Sequence, residues 1–211
     1  MTRQLNYWKQ QLGRVPDEVW AHSDAETLVL ADNGLTELPP RIGELRNLRM
    51  LDLGHNALTS IPGTIHVTDF LYLHDNQLTS LPALDLPQIR YLNVSENRFT
   101  DFPTAICSMT GLIELRVTDN QLQSLPACIA SLTRLRELHL RNNKLRTLPD
   151  VIGELRELRQ IDLRGNPVET LPRTMLDLPR LEKVDLRWVD LTPAVEEVLA
   201  QLAAKDFVVY R

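Results

Sequence analysis

The sequence has few of the residues on which many small domains rely. Only 2 of its 211 residues are cysteine, Cys107 and Cys128, and aromatic residues make up 5%. Two cysteines are too few for a disulfide framework or a cysteine-rich zinc cluster, and we expect both to stay reduced. No apolar stretch approaches the roughly 18 residues that a membrane-spanning helix needs. Since the first ten residues also lack the apolar segment of a secretory signal, we expect a cytoplasmic protein, with export without a classical signal peptide as the alternative.

Charge and motifs exclude further classes. The net charge of −5 argues against a general nucleic-acid binder and against binding to anionic membranes. The phosphate-binding G-x-x-x-x-G-K-[ST], the nucleophile motif G-x-S-x-G, the zinc motif H-E-x-x-H and the redox motif C-x-x-C are all missing from the sequence. We therefore expect no catalytic activity, no cofactor and no resident metal.

Leucine dominates what is present, with 39 copies, and it recurs with a period of 20–23 residues. An apolar-Pro step marks each period, at Pro16, Pro39, Pro62, Pro82, Pro103, Pro126, Pro149 and Pro172. An asparagine follows the same period, at Asn33, Asn56, Asn76, Asn97, Asn120, Asn143 and Asn166. The shared pattern reads L-x-x-L-x-L-x-x-N-x-L-x-x-L-P-x-x-I-x-x-L-x-x. Such regular self-similarity is the signature of a repeat protein.

The chemistry of one repeat predicts its structure. The L-x-L alternation is typical of a short strand with one buried face, and I-x-x-L has the spacing of a short helical turn. The asparagine amide can satisfy backbone groups where the chain turns away from the strand. Because a unit of 23 residues cannot bury its apolar face alone, neighbouring units must stack into a solenoid.

Over roughly residues 14–191 the pattern resembles the leucine-rich repeat family. Its 23-residue L-P-x-x-I-x-x-L type is similar to that of intracellular Ras-suppressor, plant Ras-group-related and bacterial stand-alone repeat proteins. The resemblance implies an α/β fold: a curved right-handed solenoid with a parallel sheet on the concave face and short helical or 3-10 turns on the convex face. It also implies that the concave face binds another protein.

Both ends depart from the repeat pattern, as the ends of a solenoid core require. We expect one domain over residues 1–211, with about eight repeats at 25–191. At residues 1–24, the i, i+3, i+7 spacing of Leu5, Trp8 and Leu12 predicts a helical cap, followed by a half-repeat without a strand. At residues 192–211, Thr192-Pro193 predicts a helix N-terminus, and residues 207–210 predict a final strand.

The strand residues that alternate with the buried leucines should face outward from the sheet. Phe70, Tyr72 and Tyr91 fall on adjacent predicted strands, with Met50 and His74 beside them. Since neighbouring strands lie about 4.8 Å apart, these side chains should form one patch. Exposed aromatic residues are typical of binding hot spots, although tyrosines also pack well on any sheet face.

A second outward column carries arginines. Arg141, Arg164 and Arg187 recur at 23-residue steps, with Arg116 and His139 nearby. Nearby acidic residues could neutralise them as a salt-bridge ladder, or the guanidinium groups could bind an acidic segment of a partner. A zinc site at His55 and His74 is disfavoured, because an open sheet offers two or three ligands at most. We expect Trp188 to seal the last repeat against the C-terminal helix rather than to stand exposed.

These features favour a non-enzymatic protein-protein interaction module, a scaffold of the kind used in signalling. The predicted protein-binding residues are Met50, Phe70, Tyr72, His74, Tyr91, Arg116, His139, Arg141, Arg164 and Arg187. One alternative is a secreted bacterial effector that binds a host protein, and another is an intracellular inhibitor or regulator of an enzyme. We expect no nucleic-acid partner, no membrane insertion and a monomer, with a homodimer through the concave face as the alternative.

Overall fold

The computed structural model describes residues 3–203 and 208–210. Within them the chain forms ten short strands: β1 Arg3–Asn6, β2 Ala25–Val29, β3 Met50–Asp52, β4 Phe70–Tyr72, β5 Tyr91–Asn93, β6 Glu114–Arg116, β7 Glu137–His139, β8 Gln160–Asp162, β9 Lys183–Asp185 and β10 Val208–Tyr210. Six 3-10 turns span Asp17–Ala21, Pro40–Glu44, Thr104–Ser108, Ala127–Ser131, Asp150–Glu154 and Arg173–Asp177. One α-helix, α1, spans Pro193–Ala203.

The strands form one parallel sheet in chain order, and its register confirms the predicted columns. Met50 lies opposite Phe70, and Phe70 lies opposite Tyr91. Farther along, Arg116 lies opposite His139. Narrow strands line one side while the 3-10 turns, which take more room, line the other. The stack therefore curves with the sheet on the inside, as the resemblance to leucine-rich repeat proteins implies.

The core is a continuous leucine stack bounded by a ladder of buried asparagines. In one copy, Asn97 Nδ2 donates to the carbonyl of Leu73 in the preceding repeat, 2.9 Å away, and to Val94 and Ser95 in its own turn. Its Oδ1 accepts from the N–H of Leu78, 2.9 Å away. This is the role predicted for the asparagine, and it ties each turn to the repeat before it.

The two short repeats, of 20 residues from Pro62 to Pro82 and 21 residues from Pro82 to Pro103, lose length only on the convex side. No 3-10 turn forms between residues 61 and 90, a stretch that the structure describes in full, whereas strands β3 to β5 keep an unbroken register. A deletion in a convex segment leaves the sheet ladder intact. The aromatic strands β4 and β5 therefore sit in the sheet like any other pair.

The predicted N-terminal helix is wrong, because this segment extends the sheet instead. Strand β1 pairs in parallel with β2, and the N–H of Tyr7 then donates to Val29, 2.9 Å away. Trp8 is 59% exposed, and Asn33 Oδ1 accepts from the N–H of Gln10. The open edge of β2 presents unpaired backbone groups that only an extended segment can satisfy, and this outweighs a three-residue helical spacing. The half-repeat therefore does have a strand.

The structure of the C-terminal end is closer to the prediction from the sequence. Helix α1 begins at Pro193, and the N–H of Val195 donates to Thr192 Oγ1, 3.2 Å away, as expected of an N-cap. Strand β10 adds to the edge of β9. Residue 207 of the predicted last strand lies outside the described residues. No helix in the described part of the chain has the length and apolar character to cross a bilayer.

The expectation of two reduced thiols is also wrong, since Cys107 and Cys128 form a disulfide. The two residues belong to neighbouring 3-10 turns, one near the end of its turn and the other near the start of the next. That offset of two positions faces the side chains toward each other across the convex side. The Cα atoms are 5.7 Å apart, within the usual range for a disulfide.

Candidate functional site

The structure assembles the predicted aromatic patch, defined here as Phe70, Tyr72 and Tyr91 on strands β4 and β5. The ring centroids of Tyr72 and Tyr91 are 5.0 Å apart, and those of Phe70 and Tyr91 are 6.1 Å apart. Phe70 remains 40% exposed. Burial raises the pKa of Tyr91 to about 12, so its hydroxyl stays protonated at neutral pH. The patch offers apolar ring surface with hydroxyl groups at its margin.

A histidine pair continues this patch toward the N-terminal repeats. His74 Nε2 lies 3.3 Å from His55 Nε2, and His55 Nδ1 lies 2.7 Å from Asp75 Oδ2. Burial, and then the neighbouring His55, lower the pKa of His74. Gly54 makes room for this arrangement, because a Cβ at that position would stand 2.3 Å from the His74 ring. The pair is therefore a contact between imidazoles that is oriented by Asp75.

The arginine column is paired with carboxylates, as the salt-bridge alternative predicts. Arg164 binds Asp162 through two hydrogen bonds of 2.9 and 2.6 Å. Arg187 binds Asp185 in the same way, at 3.0 and 2.8 Å. Burial by itself would raise the pKa of Asp185, but the hydrogen bonds from Arg187 outweigh it and hold the pKa below its usual value.

The remaining two arginines have acidic partners of their own. Arg141 Nη2 lies 2.9 Å from Asp119 Oδ2, and Arg116 Nε lies 2.6 Å from Glu114 Oε1. All four arginines nevertheless line one concave pocket of about 220 Å³, which we call the arginine pocket. The carboxylates orient the guanidinium groups rather than removing them from the surface.

One further cluster has the residue types of a metal site. Ligand atoms of Glu114, Glu137 and His139 lie within 4.8 Å of one another. Burial, followed by the positive charge of Arg116, lowers the pKa of His139. The Arg116 guanidinium already binds Glu114, and His139 Nε2 lies 3.3 Å from Glu137 Oε2, so these ligand atoms have partners within the protein.

The expectation for Trp188 is wrong. Its side chain is 72% exposed instead of sealing the last repeat, and the Arg164 guanidinium stands 5.7 Å from its ring centroid. Trp188 occupies the position before the missing asparagine, where the backbone has a φ of 62°. The same left-handed conformation at this position of earlier repeats, such as Asp75 and Asp119, points the side chain to the rim. The turn geometry therefore survives without the asparagine and places the indole outside.

Lys183 on strand β9 lines the arginine pocket, although the sequence pattern did not predict it as a site residue. Its Nζ lies 4.8 Å from the ring centroid of Tyr210 on β10. Lys183 belongs to the same outward column as Phe70 and Tyr91, so the strand register was the signal that could have identified it.

Comparisons with known proteins fit this geometry. A model of the family described as leucine rich repeat matches residues 24–78, 87–145, 110–168 and 133–191. An uncharacterised leucine-rich repeat-containing protein of Schizosaccharomyces pombe is 36% identical over 80 residues, which are 36% of this chain and 13% of that protein.

Two plant structures are similar to most of this chain. The ectodomain of the Arabidopsis thaliana receptor kinase GASSHO1/SCHENGEN3, solved with CASPARIAN STRIP INTEGRITY FACTOR 2, has a TM-score of 0.65 at 29% identity, over 84% of this chain and 26% of that one. The plant peptide hormone receptor RGFR1, solved with RGF2, has a TM-score of 0.73 at 26% identity, over 93% of this chain and 33% of that one. The chain therefore spans a third or less of the length of these relatives.

Proposed function

Since the chain belongs to the leucine-rich repeat family, whose model matches most of its length, we propose that it is a non-enzymatic module that binds another protein through its concave sheet. The aromatic patch is the anchor of this site, with Met50 and His74 at its edge. The arginine pocket, with His139, orients an acidic part of the partner. One similar structure is a receptor kinase ectodomain in complex with CASPARIAN STRIP INTEGRITY FACTOR 2, and the other is a peptide hormone receptor in complex with RGF2, which supports a role in binding for this chain.

The observation that carries the proposal is the contact among Phe70, Tyr72 and Tyr91 outside the core. The buried core is built from aliphatic residues, methionines and two phenylalanines, Phe99 and Phe102, and the three rings of the patch are not part of it. A cluster of aromatic side chains at the middle of a concave surface has the composition and position of an interface hot spot.

The test is affinity capture from native lysate with wild type and the triple variant Phe70→Ser, Tyr72→Ser, Tyr91→Ser. Trp8→Ser is the matched control, because it also removes an exposed aromatic side chain but lies outside the patch. We expect a protein that wild type and the control capture and the triple variant does not. Circular dichroism must show that all three stay folded. If the triple variant captures the same proteins, the aromatic patch is not the binding site.

One observation favours the second candidate, an exported protein that binds a host or extracellular partner. Disulfides persist in oxidising compartments and are rare in the cytosol, and the structure joins Cys107 to Cys128. The test is to detect the protein in culture medium and to measure its free thiols there. A protein that stays in cells with both thiols free would rule this candidate out.

A further inference from the structure

The geometry points to a phosphoryl-binding site in the arginine pocket, and we propose that it takes a phosphorylated side chain of the partner. The inference rests on the proposed function, because it names the chemistry that the partner brings to the concave face. Five cationic side chains line the pocket, namely Arg116, Arg141, Arg164, Lys183 and Arg187. Two carboxylates, Asp162 and Asp185, line it as well.

These two carboxylates lie at the bottom of the site. Asp162 is 8% exposed and Asp185 is 2% exposed, so an incoming ligand meets little of either. Arg164 and Arg187 cover them and are themselves partly exposed. The pocket therefore presents positive charge to a ligand, although Arg164 and Arg187 each have a buried carboxylate beneath them.

Arg164 and Arg187 are also fixed in orientation, and each keeps N–H donors that its aspartate does not use. Arg164 and Arg187 each donate two hydrogen bonds to an aspartate, one from Nε and one from Nη2. A guanidinium has five N–H donors, so three donors on each side chain are not bound to the aspartate. Planar, pre-oriented forks of this kind suit an oxyanion that can accept several hydrogen bonds.

Lys183 supplies the charge that the aspartates do not balance. Within residues 3–203 and 208–210, no carboxylate lies within salt-bridge distance of Lys183 Nζ, whereas Arg164 and Arg187 share Asp162 and Asp185. A phosphoryl monoester carries nearly two negative charges and three acceptor oxygens, and it matches three cationic groups better than a single carboxylate does.

The experiment is calorimetric titration of the full chain with O-phosphoserine, inorganic phosphate and glutarate at constant ionic strength. We expect O-phosphoserine to bind most tightly. Lys183→Gln and Arg187→Gln should each weaken its binding about tenfold, the effect of losing one charge-assisted hydrogen bond. Lys183→Gln leaves the hydrogen bonds from Arg164 to Asp162 and from Arg187 to Asp185 in place, so it separates binding from folding. Arg173→Gln is the control, because this exposed arginine pairs with Glu197 outside the pocket.

Each result decides one part of the proposal. If glutarate binds as tightly as O-phosphoserine, the pocket recognises negative charge in general and the phosphoryl assignment fails. If inorganic phosphate binds as tightly as O-phosphoserine, the site serves the free ion and the assignment to a partner side chain fails. If Lys183→Gln and Arg187→Gln bind like Arg173→Gln, the site lies elsewhere. None of these results affects the capture experiment with the aromatic variants, so the proposed function is tested separately.

Discussion

The buried asparagine of each turn should stabilise the stack far more than an exposed polar residue does, and Asn97→Ala tests this. Its amide group makes hydrogen bonds to Leu73, Val94 and Ser95, and its oxygen accepts one from Leu78. Two N–H groups shared among three carbonyls count as two bonds, so the side chain supplies three. At about 1 kcal/mol for each bond, we expect the free energy of unfolding to fall by about 3 kcal/mol.

The assay is urea unfolding at pH 7, followed by circular dichroism, with the denaturant slope checked for each variant. Asn47→Ala is the control, because this exposed asparagine donates one hydrogen bond, of 2.8 Å, to the carbonyl of Ser23. The free energy of unfolding of Asn47→Ala should fall by less than about 1 kcal/mol. If Asn97→Ala costs no more than Asn47→Ala, the asparagine ladder does not hold neighbouring repeats together and the reasoning is refuted.

Three further predictions concern the convex side and the histidine pair. Alkylation of the denatured, unreduced protein should find no free thiol at Cys107 or Cys128; modification of both would contradict the disulfide. Burial lowers the pKa of His74 and of His139, so the unfolded chain binds more protons and the free energy of unfolding should fall between about pH 7 and pH 5. His74→Gln should flatten that fall in urea titrations at both pH values, and an unchanged slope would show that His74 is not responsible. Gly54→Ala should destabilise by about 1–3 kcal/mol, because its Cβ would overlap the His74 ring, and a stability equal to wild type would show that the ring moves away freely.

The repeating part of the fold could be predicted from sequence because the same residue pattern occurs in every repeat and predicts the same local structure each time. The period fixes the strand register, and the register fixes which residues share a column, as the pairing of Phe70 with Tyr91 illustrates. The N-terminal segment could not be predicted in this way, since it occurs once. Leu5, Trp8 and Leu12 have helical spacing, but the unpaired edge of β2 decides their structure, and that edge is a property of the assembled sheet.

The candidate site was likewise predictable only in part. The sequence predicts which side chains meet on the sheet, and the contact between Phe70 and Tyr91 follows from the column that they share. It does not predict the height of a side chain above the sheet or its direction at a turn. Those properties distinguish Asp185, which lies beneath Arg187, from a surface carboxylate, and they place Trp188 outside the last repeat.

This difference in height determines what each half of the concave face can contribute to binding. Because Arg164 and Arg187 are already held by buried aspartates, a partner carboxylate gains only the donors that remain, and part of that gain is offset by desolvation. The aromatic patch has no such competitor, and burial of its ring surface is favourable in proportion to the area covered. Affinity should therefore come mainly from Phe70, Tyr72 and Tyr91. The arginine pocket should set the orientation of the partner and its rate of association, which are the usual contributions of charged groups at an interface.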